Sequence, residues 1–121
     1  MIRIPKEAEE QTWLFEWLTT MARLKWPELA LAFHIANGGS RNKIEAARLK
    51  AQGVKAGIPD IFIPVARQGF HGLFIELKRR AGGRLSAAQK EVIPQLREQG
   101  YLVEVCEGWN EAADLIERYM A

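Results

Sequence analysis

The chain lacks the features that mark secreted, membrane-spanning or multidomain proteins. Its 121 residues contain one cysteine, Cys106, so no intramolecular disulfide can form, and a reducing, intracellular setting is expected. The longest apolar runs, such as residues 29–35, fall far short of a membrane span, and the N-terminus turns acidic within a few residues. No internal repeat or low-complexity linker divides the chain. These absences predict one soluble, cytoplasmic domain covering residues 1–121, with no membrane-bound part.

Charge is distributed unevenly along the sequence, although the net charge is only +2. Residues 31–90 carry eleven Lys and Arg against three Asp and Glu, whereas residues 91–121 carry two against seven. A basic block is the electrostatic footprint of a protein that binds a phosphate backbone. The same block can equally be a solvated surface, so composition alone leaves both interpretations open.

Hydrophobic periodicity and turn residues predict alternating helices and strands. The first helix opens with acidic residues after Pro5 and ends before Pro27. Three more helices are expected at residues 40–53, 86–100 and 110–120. Four strands are expected at residues 30–35, 60–65, 71–78 and 101–106. The predicted order is α-β-α-β-β-α-β-α, which indicates an α/β fold with a mixed sheet flanked by helices.

Two carboxylates and a lysine stand at the ends of the two central predicted strands. Asp60 begins one strand, whereas Glu76 and Lys78 end the next. Side chains alternate along a strand, so Asp60 shares a face with Phe62, and Glu76 and Lys78 share a face with Phe74. An antiparallel hairpin with Asp60 opposite Glu76 pairs the two phenylalanines and brings the carboxylates within about 5 Å of each other.

Two close carboxylates repel each other unless a cation or protons neutralise them. The pattern therefore predicts a metal site at Asp60 and Glu76. Lys78 is placed to orient or help deprotonate an attacking water and to offset developing negative charge. The alternative is a hairpin whose frayed end carries charged residues bonded to neighbouring lysines and arginines.

The residues around this hairpin resemble a known nuclease family. Pro59-Asp60 followed by Glu76-Leu77-Lys78 is similar to the bipartite motif of the PD-(D/E)XK nuclease superfamily. The wider resemblance is to the VRR-NUC (virus-type replication-repair nuclease) family, and it runs from about residue 34 to the C-terminus. The blocks that carry it are residues 53–60, 72–78, 85–89 and 100–101.

The resemblance implies a restriction-endonuclease-like core with a defined set of site residues. In such a site Asp60, Glu76 and the backbone carbonyl of Leu77 bind Mg²⁺ or Mn²⁺, and Lys78 assists water attack. No small organic cofactor is expected. Stand-alone nucleases of this kind are often homodimers, since a symmetric pair can cut two strands.

Gln89 has two interpretations. Ser86-Ala87-Ala88-Gln89 fits a capping box, in which the Gln89 side chain reaches back to the Ser86 backbone N–H. In the VRR-NUC family, which this sequence resembles, a glutamine after the Glu-X-Lys strand belongs to the active site, where it orients the lysine or a phosphate. The resemblance favours the catalytic interpretation.

The first helix is expected to supply a further acid. Glu10 extends the apolar stripe of Leu14 and Trp17 and so faces the sheet, whereas Glu9 is rotated away. The family has a similar N-terminal helical acid, and among Glu7, Glu9 and Glu10 the stripe favours Glu10 as a metal ligand. Equally, three acids in a first turn simply complement the helix dipole.

Cations suited to phosphate contact cluster around the predicted site. The second predicted helix has a narrow apolar face, Ile44, Ala47 and Ala51, with cations on both sides. The candidate nucleic-acid contacts are Arg41, Lys43, Arg48, Lys50, Lys55, Arg79 and Arg80. In the alternative interpretation the helix cations only snorkel around a buried face. His34 resembles a family residue that lines the cleft, but a lone histidine on a strand is more often core.

These observations predict a metal-dependent DNA endonuclease that hydrolyses phosphodiester bonds. By resemblance it selects branches, flaps or junctions, and it acts in viral or phage-type replication, recombination or repair in the host cytoplasm. Two alternatives stay open. One is a non-catalytic nucleic-acid-binding module in which the acidic pair is structural, and the other is a Mg²⁺-dependent RNase.

Overall fold

One mixed sheet with helices on both faces forms the fold in the computed structural model, which describes residues 2–36 and 42–121. The helices are α1 (Glu7–Leu24), α2 (Lys43–Ala51), α3 (Ala87–Glu98) and α4 (Trp109–Met120), and a 3₁₀ helix spans Pro27–Leu31. The strands are β1 (Phe33–His34), β2 (Ile61–Ile63), β3 (Leu73–Lys78) and β4 (Leu102–Glu107). The sheet order is β1-β2-β3-β4, with β4 parallel to β3 and the other neighbours antiparallel. The predicted α/β class and element order are confirmed.

The register of the central hairpin is the predicted one. Phe62 pairs with Phe74, and their rings stack with centroids 4.3 Å apart. Ile61 and Ile63 point to the opposite face, where they are fully buried in the core formed with α1 and α4. The phenylalanines instead pack with Ile93 of α3. This alternation places α1 and α4 on one face of the sheet and α3 on the other.

Two predicted boundaries shift because local backbone chemistry competes with the apolar pattern. Pro27 lies in the first turn of the 3₁₀ helix, so residues 30 and 31 are helical and β1 is only two residues long. Helix α2 begins after Asn42, whose Oδ1 accepts hydrogen bonds from the N–H groups of Ile44 and Glu45 at 2.8 and 3.3 Å. The predicted cap Ser40 and the preceding turn lie outside the described residues.

The apolar face of α2 points to solvent. Ile44 is 73% exposed, and Ala47 and Ala51 are exposed as well. Ala46 and Leu49 are the half-buried residues of this helix. The alternative in which the helix cations snorkel around a buried Ile44 face is therefore wrong.

The single cysteine is part of the core. Cys106 on β4 is buried, and burial raises the pKa of its thiol to about 12. A thiol with that pKa stays protonated at neutral pH and is a poor nucleophile. In the part of the chain that the structure describes, none of the helices combines the length and apolarity needed to cross a membrane.

Gly57 sets how closely the segment before β2 packs on α3. Its φ is +90°, and a Cβ added there would lie 2.6 Å from the backbone carbonyl oxygen of Ala88. Gly53 also has a positive φ, +104°, but a Cβ there would meet no atom within 4 Å. Alanine substitutions at the two positions therefore distinguish the free-energy cost of a left-handed backbone from that of a clash with α3.

We expect Gly57→Ala to destabilise the protein more than Gly53→Ala. The left-handed conformation costs about 1–2 kcal/mol in either variant, and the clash with Ala88 adds about 1–3 kcal/mol in Gly57→Ala alone. Urea denaturation of both variants measures the difference. Equal free energies of unfolding would show that the segment relaxes away from α3 at no cost.

Candidate active site

Three carboxylates converge at the end of the sheet where β2 begins and β3 ends. Asp60 immediately precedes β2, Glu76 lies within β3, and Glu7 is the first residue of α1. One carboxylate oxygen from each lies within 4.8 Å of the other two. We call this group the acidic cluster. Asp60 and Glu76 stand together as the hairpin register predicts.

Backbone hydrogen bonds hold the two hairpin carboxylates in place. The N–H of Asp60 donates to Glu76 Oε1 at 3.2 Å, and the N–H of Leu77 donates to Asp60 Oδ2 at 3.1 Å. Each carboxylate thus accepts a hydrogen bond from the backbone of the other strand segment. Their separation therefore depends on the register of the hairpin more than on side-chain rotamers.

The carbonyl of Leu77 faces the same side. The N–H and C=O of one strand residue point to the same edge of the strand, and the Leu77 N–H points to Asp60. Pairing with β2 ends at Ile61 opposite Ile75, so Leu77 lies beyond the ladder. This orientation suits the metal-ligand role that the family resemblance implies for the Leu77 carbonyl.

Lys78 lies against the acidic cluster. Its Nζ is 3.0 Å from Glu76 Oε2, and its side chain is 15% exposed. The loop after β3 covers the lysine stem, because a Cβ at Gly83 would lie 2.8 Å from Lys78 Cβ. The ammonium group is thus held at the acidic cluster by an ion pair and by packing.

Burial makes the acidic cluster electrostatically unfavourable without a cation. The pKa of Asp60 rises to about 6 because the carboxyl is desolvated by burial and because it lies beside the negative charge of Glu76. A divalent ion would remove both penalties. The three side chains offer hard oxygen atoms, which are the ligands that Mg²⁺ and Mn²⁺ take in proteins. The residues present therefore fit a divalent cation.

The structure brings Glu7, and not Glu10, to the acidic cluster. Glu10 is fully buried, as its place on the apolar stripe predicts. Its carboxylate accepts hydrogen bonds from Arg80 Nε at 2.8 Å and from the backbone N–H of Trp109 at 3.3 Å. It therefore caps the N-terminus of α4 and neutralises Arg80. The apolar stripe favoured Glu10 over Glu7, although Glu7, three residues before Glu10, lies on the same side of α1.

Gln89 is held in a capping box at the start of α3. Its Oε1 accepts from the Ser86 N–H at 2.9 Å, and its own N–H donates to Ser86 Oγ at 3.1 Å. The structural interpretation is therefore correct for the Gln89 oxygen. The side chain also lines a groove between α2 and α3. A role for the Gln89 amide in the site stays a prediction.

The candidate nucleic-acid contacts occupy different surroundings. Lys50 and Lys55 line the groove between α2 and α3, an open depression of about 950 Å³ that also contains Gly57 and Gln89. We call it the basic groove. Lys43, Arg48 and Arg79 are exposed. Arg80 donates hydrogen bonds to Glu10 and Asn110. Arg41 lies outside the described residues.

Comparisons with known proteins agree with the resemblance in the motif blocks. A model of the VRR-NUC domain matches residues 3–110. A solved structure described as a VRR_NUC domain protein is 33% identical, with a TM-score of 0.81. The alignment covers 98% of this chain and 91% of that one. Among curated proteins, none matches the chain.

The two glutamates of α1 are expected to respond differently to the same isosteric change. We expect Glu7→Gln to weaken binding of Mn²⁺ at least about tenfold, because it removes a charged oxygen ligand. We expect Glu10→Gln to lower the free energy of unfolding by about 2 kcal/mol, because it leaves Arg80 and the α4 N-terminus poorly neutralised. Calorimetric titration with Mn²⁺ and urea denaturation measure the two effects. Weaker Mn²⁺ binding in Glu10→Gln, with unchanged binding in Glu7→Gln, would contradict this assignment and place Glu10 at the metal.

The raised pKa of Asp60 predicts a pH dependence of stability. The folded carboxyl binds a proton up to about pH 6, whereas its ordinary pKa is 3.8, so its contribution favours folding in acid and is lost as the pH rises through 6. In EDTA we expect Asp60→Asn to gain about 1 kcal/mol or less over the wild type between pH 5 and pH 8, after allowance for solvent screening. Urea denaturation at both pH values measures this gain.

The matched control is Asp114→Asn, which changes an exposed carboxylate on α4. The free energy of unfolding of Asp114→Asn should change with pH in parallel with that of the wild type. Addition of Mg²⁺ at pH 8 should then stabilise the wild type and leave Asp60→Asn unchanged. Parallel profiles for Asp60→Asn and the wild type would contradict the electrostatic picture of the acidic cluster.

Proposed function

The chain belongs to the VRR-NUC domain family, a nuclease-type domain, and from this premise we propose that it is a metal-dependent DNA endonuclease that hydrolyses phosphodiester bonds. Mg²⁺ or Mn²⁺ is the proposed cofactor. The observation that carries the proposal is the acidic cluster, in which Glu7, Asp60 and Glu76 converge beside Lys78. Negative charge gathered around the buried Glu76 and next to one ammonium has a clear use in phosphoryl chemistry and is costly for the fold alone.

The side chains have distinct proposed roles. The carboxylates of Glu7, Asp60 and Glu76 hold the ion, together with the carbonyl of Leu77. The bound ion supplies positive charge that polarises the phosphate and lowers the pKa of water. Lys78, kept in place by Glu76, orients the attacking water and stabilises negative charge that develops on the phosphate oxygens. Gln89, on the wall of the basic groove, positions a phosphate.

The basic groove suits a phosphate backbone. Lys50 and Lys55 line it, and it reaches the segment that leads into Asp60. Contacts of cations with phosphates give affinity that depends strongly on salt and little on sequence. We therefore propose that the enzyme selects DNA by structure, such as flaps, branches or junctions, with Lys43, Arg48 and Arg79 as outer contacts.

The setting follows from the family and the size of the chain. We propose that residues 1–121 form one nuclease domain and that two copies form a homodimer, because a symmetric pair of sites can cut two strands. Viral or phage-type replication, recombination or repair in the host cytoplasm is the proposed context. Analytical ultracentrifugation would test the dimer directly.

Cleavage assays test the proposed activity. With Mg²⁺ or Mn²⁺ we expect the wild type to cut branched and nicked DNA, and we expect Asp60→Asn and Lys78→Ala each to lower the rate by about 10²–10⁴-fold. The matched control is Lys90→Ala, an exposed cation on α3, which should retain activity. Equal cleavage by the wild type and both site variants would contradict the catalytic assignment. A panel of RNA substrates decides between DNase and RNase activity.

A further inference from the structure

A second depression adjoins the acidic cluster on the face of the sheet that packs against α1. It is a shallow depression, more open than the basic groove, with a volume of about 410 Å³. Its walls are five residues of α1 and one of β1: Gln11, Thr12, Phe15, Glu16, Thr19 and His34. We call it the α1 pocket.

Two of these residues connect the α1 pocket to the acidic cluster. Gln11 follows Glu7 by four residues, so the two side chains are neighbours on one side of α1. His34 Nδ1 lies 2.9 Å from the backbone carbonyl oxygen of Asp60. A group at the Gln11 end of the pocket would therefore lie near a phosphate held at the acidic cluster.

The α1 pocket presents mainly hydrogen-bond acceptors. The carbonyl of Asp60 can only accept, so the contact requires a hydrogen on His34 Nδ1, and in the neutral imidazole Nε2 is then an acceptor. The hydroxyls of Thr12 and Thr19 donate to the carbonyls four residues earlier, at 3.0 and 2.9 Å, so their oxygens remain able to accept hydrogen bonds. Glu16 adds a carboxylate.

The two depressions beside the acidic cluster differ in charge. The basic groove contains Lys50 and Lys55 beside Glu91, whereas the described residues that line the α1 pocket include neither lysine nor arginine. The α1 pocket contains one half-buried aromatic ring, Phe15, beside the Gln11 amide. This set does not suit a phosphate. It suits a flat, hydrogen-bonding group that carries donors.

We propose that the α1 pocket binds one unpaired nucleobase that carries an exocyclic amino group, next to the scissile phosphate. The amino group donates to the acceptors of the pocket, and the ring packs on Phe15. Paired and stacked bases cannot enter, which gives the enzyme a physical reason to select unpaired DNA. The inference rests on the proposed nuclease function and extends it.

Base substitution in a flap substrate tests the proposal. Single positions around the cleavage site are changed in turn from cytosine to uracil and to an abasic residue, and kcat/KM is measured. Since stacking of one base contributes about 1–3 kcal/mol, we expect the abasic residue to lower kcat/KM by about tenfold at one position only. Uracil has an oxo group in place of the amino group, so its kcat/KM should lie between the values for cytosine and for the abasic residue.

A matched pair of variants separates this subsite from general effects. Gln11→Leu keeps the helix and the volume of the side chain but removes its polar group, and Gln99→Leu makes the same change at an exposed position after α3. We expect Gln11→Leu to reduce the preference for cytosine over uracil, while Gln99→Leu retains it. A uniform loss of activity on every substrate in Gln11→Leu would indicate a structural role and overturn the proposal.

A binding experiment distinguishes failure of this proposal from failure of the nuclease function. The cleavage-deficient Asp60→Asn protein is titrated into flap DNA that carries 2-aminopurine, itself an amino-bearing base, at the selected position. A change in 2-aminopurine fluorescence at that position that is smaller in an added Phe15→Leu change supports binding of the base in the α1 pocket. Cleavage with flat substitution profiles and no site-specific fluorescence change overturns the pocket alone. Absence of both DNA binding and cleavage overturns the nuclease function and the pocket with it.

Discussion

The register of the β2–β3 hairpin is the constraint on which the site depends. Stacking of Phe62 on Phe74 and burial of Ile61 and Ile63 on the other face fix which residues stand opposite each other. A slip of one residue would turn the isoleucines to the phenylalanine face and separate Asp60 from Glu76. Hydrophobic packing of the hairpin therefore holds together two like charges that would otherwise move apart.

Two acids of one helix, the exposed Glu7 and the buried Glu10, illustrate how its partners decide the role of a carboxylate. Glu10 meets Arg80 and the N-terminus of α4, so its charge is neutralised within the fold. Glu7, one turn earlier, lies beside Asp60 and Glu76, so its negative charge adds to theirs. The first arrangement stabilises the metal-free protein. The second leaves negative charge that a bound cation would offset, which is the expected property of a metal site.

Sequence patterns anticipated the parts of this structure that follow from periodicity. Alternation along two apolar strands was sufficient to place Asp60, Glu76 and Lys78 on one face. Helical periodicity gave the side of α1 that faces inward, but it carries no information on what lies opposite each turn, so it could not separate Glu7 from Glu10. The solvent-facing position of Ile44 and the short β1 depend likewise on tertiary packing and on local caps at Asn42 and Pro27.

Under the proposed function, the basic groove and the α1 pocket would contribute affinity and selectivity separately. The basic groove offers cations, which every phosphate backbone satisfies, so it contributes affinity without choice. The α1 pocket offers acceptors and one ring, which only an unstacked base satisfies. Because Glu7 and Gln11 stand four residues apart on one rigid helix, a base in the pocket and a phosphate at the acidic cluster would be positioned by the same element. Recognition of unpaired DNA and placement of the bond to be cut would then be one event.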